Sequence, residues 1–287
     1  MSEVKQFKRV WLITGAARGL GAQIAEAALA AGNAVIAAGR DTQAIAARFG
    51  DNRAVLAVKL DVTDEAQARA AVEMGVAHFG RIDVLVNNAG FGLLGAVEES
   101  SDADVRRMFD TNVFGLLNVT RAVLPKLRAQ RSGHVINVSS IGGFRASAGF
   151  GAYCSSKFAV EGLTEALHAE LAPLGIHATV IEPGYFRTDF LDASSLAVAP
   201  HVIADYAATS GATRARAGGL NRQQPGDPAK LAAAVVKLVD SATPPLRLPL
   251  GNDTLAAIEQ KRAFVAAETE AWRAVSSSTG FDSDAIV

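Results

Sequence analysis

The feature that most constrains the fold is an apolar strand that runs directly into a glycine-rich turn and a helix. The run Arg9 to Thr14 (RVWLIT) predicts a buried strand, and the Ala-rich residues up to about Ala31 predict a helix. Between them lie Gly15, Arg18, Gly19, Leu20 and Gly21, with the glycines spaced Gly-x-x-x-Gly-x-Gly. Glycines in such a turn let the backbone approach a pyrophosphate, which the N-terminus of the helix attracts. The alternative is a tight turn that serves only close packing of helix on strand.

The alternation of strand and helix continues along the chain. Further short apolar runs predict strands at 33–38, 54–60, 82–86, 135–138, 176–181 and 246–250. Helical patterns are found at 42–49, 64–79, 101–130, 151–171, 227–240 and 255–275. The composition, 49% hydrophobic with 6% aromatic residues, suits an α/β fold in which a parallel sheet is buried between helices. Because no repeat, low-complexity tract or linker interrupts the pattern, we expect one domain over residues 1–287.

The residues after the second strand indicate which dinucleotide would be bound. An NAD-binding unit usually has an acidic residue here, which holds the ribose 2′-hydroxyl. This chain has Gly39-Arg40 instead, and Arg18 in the glycine turn adds a second positive charge. A planar guanidinium matches the oxygens of a 2′-phosphate, whereas Asp41 is interpreted as the N-cap of the next helix. We therefore predict NADP(H) rather than NAD(H) as the cofactor.

Residues suited to acid–base chemistry lie between His134 and Lys157. A predicted strand ends at Ser139-Ser140, and Tyr153 and Lys157 share one face of the following helix because they are four residues apart. A neighbouring lysine cation should lower the pKa of the tyrosine towards the range that acid–base catalysis needs. Ser140 would hydrogen-bond the oxygen of a reacting carbonyl or alcohol. Taken alone, such a pair is more often a surface pair without chemistry.

Asparagines mark two further positions. Asn87-Asn88-Ala89-Gly90 follows the fourth predicted strand, and doubly wound sheets bind ligands at the carboxyl ends of their strands. A turn is the alternative for this segment, since Asn tolerates left-handed geometry. Asn112 lies among apolar residues in the middle of the long helix predicted from Ser101 to Gln130. It either hydrogen-bonds locally or opens the helix and presents its amide to the active site.

Composition excludes several other classes of protein. The net charge is −1 with both signs scattered, so neither nucleic acid nor an anionic membrane is an expected partner. The single Cys154 excludes an internal disulfide and a cysteine-built zinc site, and the histidines lack metal-ligand spacing, so no metal is expected. The N-terminus has no apolar signal core, and no run reaches the ~18 apolar residues of a membrane span. We expect a soluble cytoplasmic protein.

In order and context these motifs resemble those of the short-chain dehydrogenase/reductase family, over roughly Lys8 to Leu250. They are Thr14-Gly15-x-x-x-Gly19-x-Gly21, Asp61, Asn87-Asn88-Ala89-Gly90, Asn112, Ser140, Tyr153-x-x-x-Lys157 and Pro183-Gly184. The resemblance implies a Rossmann-like, doubly wound parallel sheet of about seven strands with helices on both faces. It also implies association into a homodimer or homotetramer, through the helices that carry Asn112 and Tyr153.

The resemblance further implies a role for each residue of the site. Tyr153 would be the acid/base, Ser140 would hold the substrate oxygen, and Lys157 would lower the tyrosine pKa and hold the nicotinamide ribose. Asn112 would anchor a water that links Lys157 to solvent. Asp61 and Val62 would contact adenine, Asn88 the cofactor ribose, and Thr188 the nicotinamide amide. The other expected cofactor contacts are Gly15, Arg18, Gly19, Leu20, Gly21, Arg40, Ala89, Gly90, Pro183 and Gly184.

The expected activity is hydride transfer between NADP(H) and a ketone, aldehyde or secondary alcohol, with Tyr153 moving the proton. One alternative is a non-catalytic NADP-binding sensor or scaffold on the same fold, which should have lost Tyr153, Ser140 or Lys157. Another is a sugar-nucleotide epimerase or dehydratase, which should have a larger C-terminal domain and a different glycine spacing. Neither departure is seen in this sequence.

Two segments are expected to determine substrate and assembly. Residues 191–225 have poor periodicity and should form a mobile segment over the pocket, with short helices, and residues 185–225 should determine the substrate. Their Phe186, Phe190, Leu191, Leu196 and Tyr206 predict an apolar pocket wall. The chain resembles family members that act on hydroxysteroids, retinoids and ketones, and the resemblance does not choose among them. The C-terminal extension, about 252–287, would cover the pocket or join a subunit interface.

Overall fold

Within residues 7–281, which the computed structural model describes, seven parallel strands form the central sheet, as the resemblance implied. The strands in chain order are β1 (Val10–Thr14), β2 (Ala34–Gly39), β3 (Val55–Lys59), β4 (Val84–Asn87), β5 (Gly92–Leu94), β6 (Gly133–Val138), β7 (Ile176–Pro183), β8 (Leu196–Val198) and β9 (Arg247–Leu250). The sheet order is β3-β2-β1-β4-β6-β7-β9, while β5 and β8 pair with each other in parallel outside it. The expectations for the first six residues and for the end of the C-terminal extension lie outside the described range.

Helices connect the strands and cover both faces of the sheet. They are α1 (Gly19–Ala30), α2 (Thr42–Phe49), α3 (Glu65–Phe79), α4 (Asp102–Phe109), α5 (Leu116–Gln130), α6 (Gly151–Leu171), α7 (Ala212–Leu220), α8 (Pro228–Asp240), α9 (Asn252–Ala271) and α10 (Arg273–Ser277). Asp41 accepts a hydrogen bond from the Ala44 backbone, so its interpretation as the N-cap of α2 is confirmed. Among the described residues, no helix has an apolar stretch long enough to cross a bilayer.

The two sides of β1 show how the core is divided. Val10 and Leu12 pack towards α3, α5 and α6, whereas Trp11 and Ile13 pack towards α1 and α8. Successive side chains of a strand point to opposite faces, so a strand covered by helices on both sides must be apolar throughout. This double burial explains why RVWLIT is a continuous apolar run.

Two parts of the fold differ from the predictions. The helix predicted as one element from Ser101 to Gln130 is interrupted by a π-helical stretch, Asp110–Gly115, between α4 and α5. The segment predicted to have only short helices also contains β8, and neither β5 nor β8 was predicted. Three-residue strands are too short to show the alternation of apolar and polar residues that identifies a strand.

Candidate active site

A cavity of about 940 Å³ opens at the carboxyl ends of the sheet strands, where the strand order reverses between β1 and β4. Ligands bind at this place in open α/β sheets. Of the predicted site residues, Gly21 and Asn112 do not line the cavity. Those that line it are Gly15, Arg18, Gly19, Leu20, Arg40, Asp61, Val62, Asn88, Ala89, Gly90, Ser140, Tyr153, Lys157, Pro183, Gly184 and Thr188. The fold therefore brings together most of the predicted site residues, which are far apart in the sequence.

The glycine turn between β1 and α1 is suited to an anion. Gly15 has φ 66°, a conformation that glycine adopts without strain. A Cβ on Gly21 would lie 2.5 Å from the Gly15 carbonyl oxygen, so only glycine fits there. The N-terminus of α1 has no side-chain cap and no acidic residue in its first turn. Its backbone N–H groups can therefore face a pyrophosphate, and the residues present fit a dinucleotide.

The side-chain amide of Asn88 holds this turn in place. Asn88 Nδ2 donates to the carbonyl oxygens of Thr14 at 2.9 Å and Gly15 at 3.3 Å. In return, the Thr14 hydroxyl accepts from the backbone N–H groups of Asn88 and Ala89, each at 3.0 Å. The segment after β4 and the glycine turn after β1 are thus tied together, and the role of Asn88 at the cofactor ribose remains a prediction.

The two arginines predicted to recognise a 2′-phosphate have different surroundings. Arg40 follows β2 with an exposed side chain at the cavity. Arg18 is hydrogen-bonded to the Ser194 hydroxyl, and its Nη2 donates to the Ser194 carbonyl oxygen at 2.7 Å. Ser194 belongs to residues 185–225, which we call the covering segment. Arg18 therefore links the glycine turn to the covering segment. Arg40, at the end of β2, is the cation of these two that stays available to a 2′-phosphate.

Ser140, Tyr153 and Lys157 meet at one end of the cavity. The Lys157 Nζ donates to the Val138 carbonyl oxygen at 2.8 Å and lies 5.8 Å from the centroid of the Tyr153 ring. A Cβ on Gly142 would lie 3.5 Å from both Ser140 Oγ and Tyr153 Cε1, which places the hydroxyl and the ring against the same glycine. The predicted neighbourhood of these three side chains is present in the structure.

The predicted lowering of the Tyr153 pKa is not found in the protein alone. Burial raises the pKa of Tyr153 well above its ordinary range, and the Ser140 hydroxyl opposes this rise. Burial also lowers the pKa of Lys157 to about 8, against the effect of the Glu161 charge. Loss of solvent from the phenolate is the largest cause of the rise, and it opposes the lowering that the helical spacing predicted.

Asn112 lies where the helix widens, as one alternative required, but its amide bonds distant residues and is presented neither locally nor to the cavity. It lies in the π-helical stretch, and its Oδ1 accepts from Phe91 N at 3.0 Å. Its Nδ2 donates to the Phe91 carbonyl oxygen at 2.9 Å and to Ser156 Oγ at 3.1 Å. A Cβ on Gly90 would lie 2.9 Å from Asn112 Oδ1 and 3.7 Å from Lys157 Nζ. Asn112 thus supports the segment behind Lys157, and its role with a water remains a prediction.

The side of the cavity next to Tyr153 is apolar. The Phe190 and Phe150 rings lie 5.6 and 6.0 Å from the Tyr153 ring, measured between centroids. Of the predicted wall residues, Phe186, Phe190 and Leu191 line the cavity. Leu196 instead packs in the apolar cluster beside Tyr153, and the Tyr206 hydroxyl donates to Glu98 Oε2 at 2.7 Å.

Two aromatic residues of this wall, Phe91 and Phe150, were not predicted. Phe91 directly follows the motif residue Gly90, and Phe150 directly precedes the helix that carries Tyr153. Their closeness to these motifs in the sequence could have identified both as wall residues.

Comparison with known proteins agrees with this site. The family model for short chain dehydrogenases matches residues 9–198. Oxidoreductase BOA17 of Botryotinia fuckeliana is 41% identical over 271 residues, covering 93% of this chain and 98% of the relative. A 3-ketodihydrosphingosine reductase of Bacteroides thetaiotaomicron is 37% identical, covering 85% of this chain and 88% of the relative.

Solved structures share the fold over nearly the whole chain. A short-chain dehydrogenase from Streptomyces avermitilis superposes with a TM-score of 0.88 at 42% identity, covering 95% of this chain and 99% of that one. A short-chain dehydrogenase/reductase from Burkholderia phymatum in complex with NAD gives a TM-score of 0.80 at 26% identity, covering 92% and 96%. ElxO with NADP bound gives 0.72 at 27%, covering 87% and 100%. These relatives therefore include one bound to NAD and one bound to NADP.

Proposed function

Because this chain belongs to the short-chain dehydrogenase family, we propose that it is an NADP(H)-dependent oxidoreductase that interconverts a ketone or aldehyde and the corresponding alcohol. The observation that carries the proposal is the meeting of Ser140, Tyr153 and Lys157 in a cavity that also contains the glycine turn. A sensor or scaffold without catalytic function would have no need of this arrangement. The family and the nicotinamide-dependent oxidoreductase class follow from the comparisons.

Each group of the site has a task in this reaction. When bound, the nicotinamide supplies or accepts the hydride. Ser140 orients the substrate oxygen, and Tyr153 gives that oxygen a proton during reduction or removes one during oxidation. Lys157 provides a positive charge beside Tyr153 and would contact the ribose of a bound cofactor. Burial raises the pKa of Tyr153, so the phenol is protonated at neutral pH before the reaction.

The preference for NADP(H) is supported by the end of β2. Gly39 brings no carboxylate to the position where a 2′-hydroxyl would be held, and Arg40 offers an exposed guanidinium at the cavity. A 2′-phosphate would be attracted to this cation, whereas the uncharged 2′-hydroxyl of NAD(H) would gain no such attraction.

The apolar wall supports a substrate whose carbonyl is attached to a hydrophobic body. Phe150, Phe190 and Leu191 face the reacting end of the cavity. An apolar group placed there would replace water against these side chains, which favours binding in proportion to the area covered. The similarity to a 3-ketodihydrosphingosine reductase agrees with reduction of a ketone.

The test is oxidation of NADPH and of NADH by the purified protein over ketones and aldehydes that range from small aliphatic to steroid-sized. We expect turnover with NADPH and higher kcat/KM for the more apolar substrates. Tyr153→Phe should reduce kcat by about 10²–10⁴-fold, because the proton donor is lost, while the Kd for NADPH changes little. Full activity in Tyr153→Phe, or tight NADPH binding without turnover of any substrate, would contradict the proposal.

A further inference from the structure

Two buried glutamates take no part in the reaction described above. Glu161 lies one helical turn after Lys157 on α6 and is 4% exposed. Glu182, near the end of β7, is 0% exposed and immediately precedes Pro183-Gly184 at the cavity. Since a buried carboxylate is unfavourable unless it is paired or protonated, the partners of these two groups matter.

A single guanidinium serves both carboxylates. Arg247 of β9 binds Glu161 Oε2, and its Nη1 also donates to Glu182 Oε1 at 2.8 Å. Its Nη2 binds Glu165, whose side chain is 54% exposed. Water screens the charge of Glu165, because its side chain is exposed. The buried part of the cluster therefore consists of two carboxylates, Glu161 and Glu182, and one cation, Arg247. When both carboxylates are ionised, the cluster has an excess negative charge.

Unpaired oxygens show where this excess lies. Within residues 7–281, Glu161 Oε1, Glu182 Oε2 and Ser139 Oγ are buried without a hydrogen-bond partner. A Cβ on Gly143 would lie 2.8 Å from Glu161 Oε1 and against Ser139 Oγ, so these two oxygens face the same small space. Burial raises the pKa of Glu161 to about 7, the Ser139 hydroxyl opposes this, and the Glu182 charge adds to it. Burial and the charge of Glu182 thus both disfavour ionisation of Glu161.

The Glu161 carboxylate lies one helical turn from Lys157, which has few other groups that favour its charged form. Lys157 is 6% exposed, and its Nζ donates to a neutral carbonyl oxygen. The titratable groups around Lys157 and Glu161 are Tyr153 and Glu165 on α6, Glu182 on β7 and Arg247 on β9. Cys154 and Tyr185 adjoin Tyr153. Among these, Glu161 is the buried carboxylate whose charge favours the ammonium form of Lys157.

We propose that Glu161 is a positioning residue, whose carboxylate keeps the buried Lys157 charged in the range of pH where Tyr153 transfers its proton. Neither glutamate lines the cavity, so the effect acts through Lys157 and not through contact with substrate. The inference rests on the proposed function, because it concerns the groups that carry out the reaction.

The experiment compares the pH profile of kcat/KM for NADPH-dependent ketone reduction in Glu161→Gln, Glu182→Gln and Glu165→Gln. Glu165→Gln is the matched control, since it removes an exposed carboxylate from the same Arg247. Loss of a buried negative charge lowers the pKa of whichever group titrates in the coupled Tyr153–Lys157 pair. We expect the alkaline limb to move down by about one pH unit in Glu161→Gln and to stay in place in the control. Glu182→Gln removes a charge that disfavours ionisation of Glu161, so its alkaline limb should not move down.

The outcomes separate this inference from a structural effect and from the proposed function. A Glu161→Gln profile that superimposes on that of the wild type, or an equal shift in Glu165→Gln, overturns the inference. Glu161→Asp retains the charge and should restore the wild-type profile even where kcat falls, which a packing role would not predict. If the wild type turns over no ketone, the proposed function fails; the pH dependence of the Kd for NADPH, read by fluorescence, still shows whether the titration of Lys157 has moved.

Discussion

Replacement of Arg40 tests the choice of cofactor. The side chain of Arg40 is exposed at the cavity, and none of the ion pairs formed within residues 7–281 involves it. The neighbouring carboxylate of Asp41 accepts from Ala44 N at 3.0 Å, and Arg18 is bonded to Ser194. The guanidinium of Arg40 is therefore available to a 2′-phosphate without first breaking another contact.

The magnitude follows from the contact that would be lost. Hydrogen bonds to charged groups contribute about 1.5–3 kcal/mol, and each 1.4 kcal/mol is about tenfold. Arg40→Ala should therefore lower kcat/KM for NADPH by about 10- to 100-fold and leave that for NADH nearly unchanged, because a ribose 2′-hydroxyl has no charge to attract a guanidinium.

Initial rates at subsaturating NADPH and NADH provide the measurement. Arg53→Ala serves as the control, because it removes the same charge from an exposed residue that does not line the cavity. The reasoning fails if Arg40→Ala keeps the wild-type ratio of NADPH to NADH, or if it lowers kcat/KM for both cofactors equally.

Two further predictions concern stability. Gly21→Ala places a Cβ within 2.5 Å of the Gly15 carbonyl oxygen, so it should destabilise the protein by about 1–3 kcal/mol and weaken NADPH binding. The control Gly162→Ala has open space on α6 and should raise the melting temperature slightly. Burial, aided by the charges of His177 and Arg9, lowers the pKa of His134 to about 3. Below its unfolded-state pKa of about 6.5 the unfolded chain binds more protons, so stability should fall by up to about 1.4 kcal/mol per pH unit down to about pH 3. Urea unfolding at pH 7 and pH 5 should show a smaller difference for His134→Asn than for wild type; equal differences would refute this origin.

The sheet could be predicted because its physical cause is local in the sequence. A strand buried on both faces must be apolar along its whole length, as Trp11 and Leu12 show by packing on opposite sides. Likewise Asp41 and Asp64 marked helix starts, since a side-chain oxygen must accept from the free backbone N–H groups there. Most motif residues were found for the same reason, because they follow a strand or lie in the first turns of a helix, whereas Asn112 was found as a polar residue among apolar ones.

What could not be predicted depends on partners that are distant in the sequence. Arg18 binds Ser194, which lies 176 residues away, so its position in the glycine turn did not reveal this contact. The direction of the Tyr153 pKa shift depends on burial by several elements, which spacing along one helix does not report. Glu161 appears on α6 as an ordinary helical residue until Glu182 and Arg247 are brought beside it by β7 and β9.

The small sheet formed by β5 and β8 bears on how the substrate range can change in evolution. Its register, Gly92↔Leu196 to Leu94↔Val198, fixes which side chains of β8 face the cluster beside Tyr153. A slip of one residue in this register would turn Leu196 away from that cluster. Divergence in substrate range that keeps the small sheet should therefore act through the identity of the β8 side chains that face Tyr153.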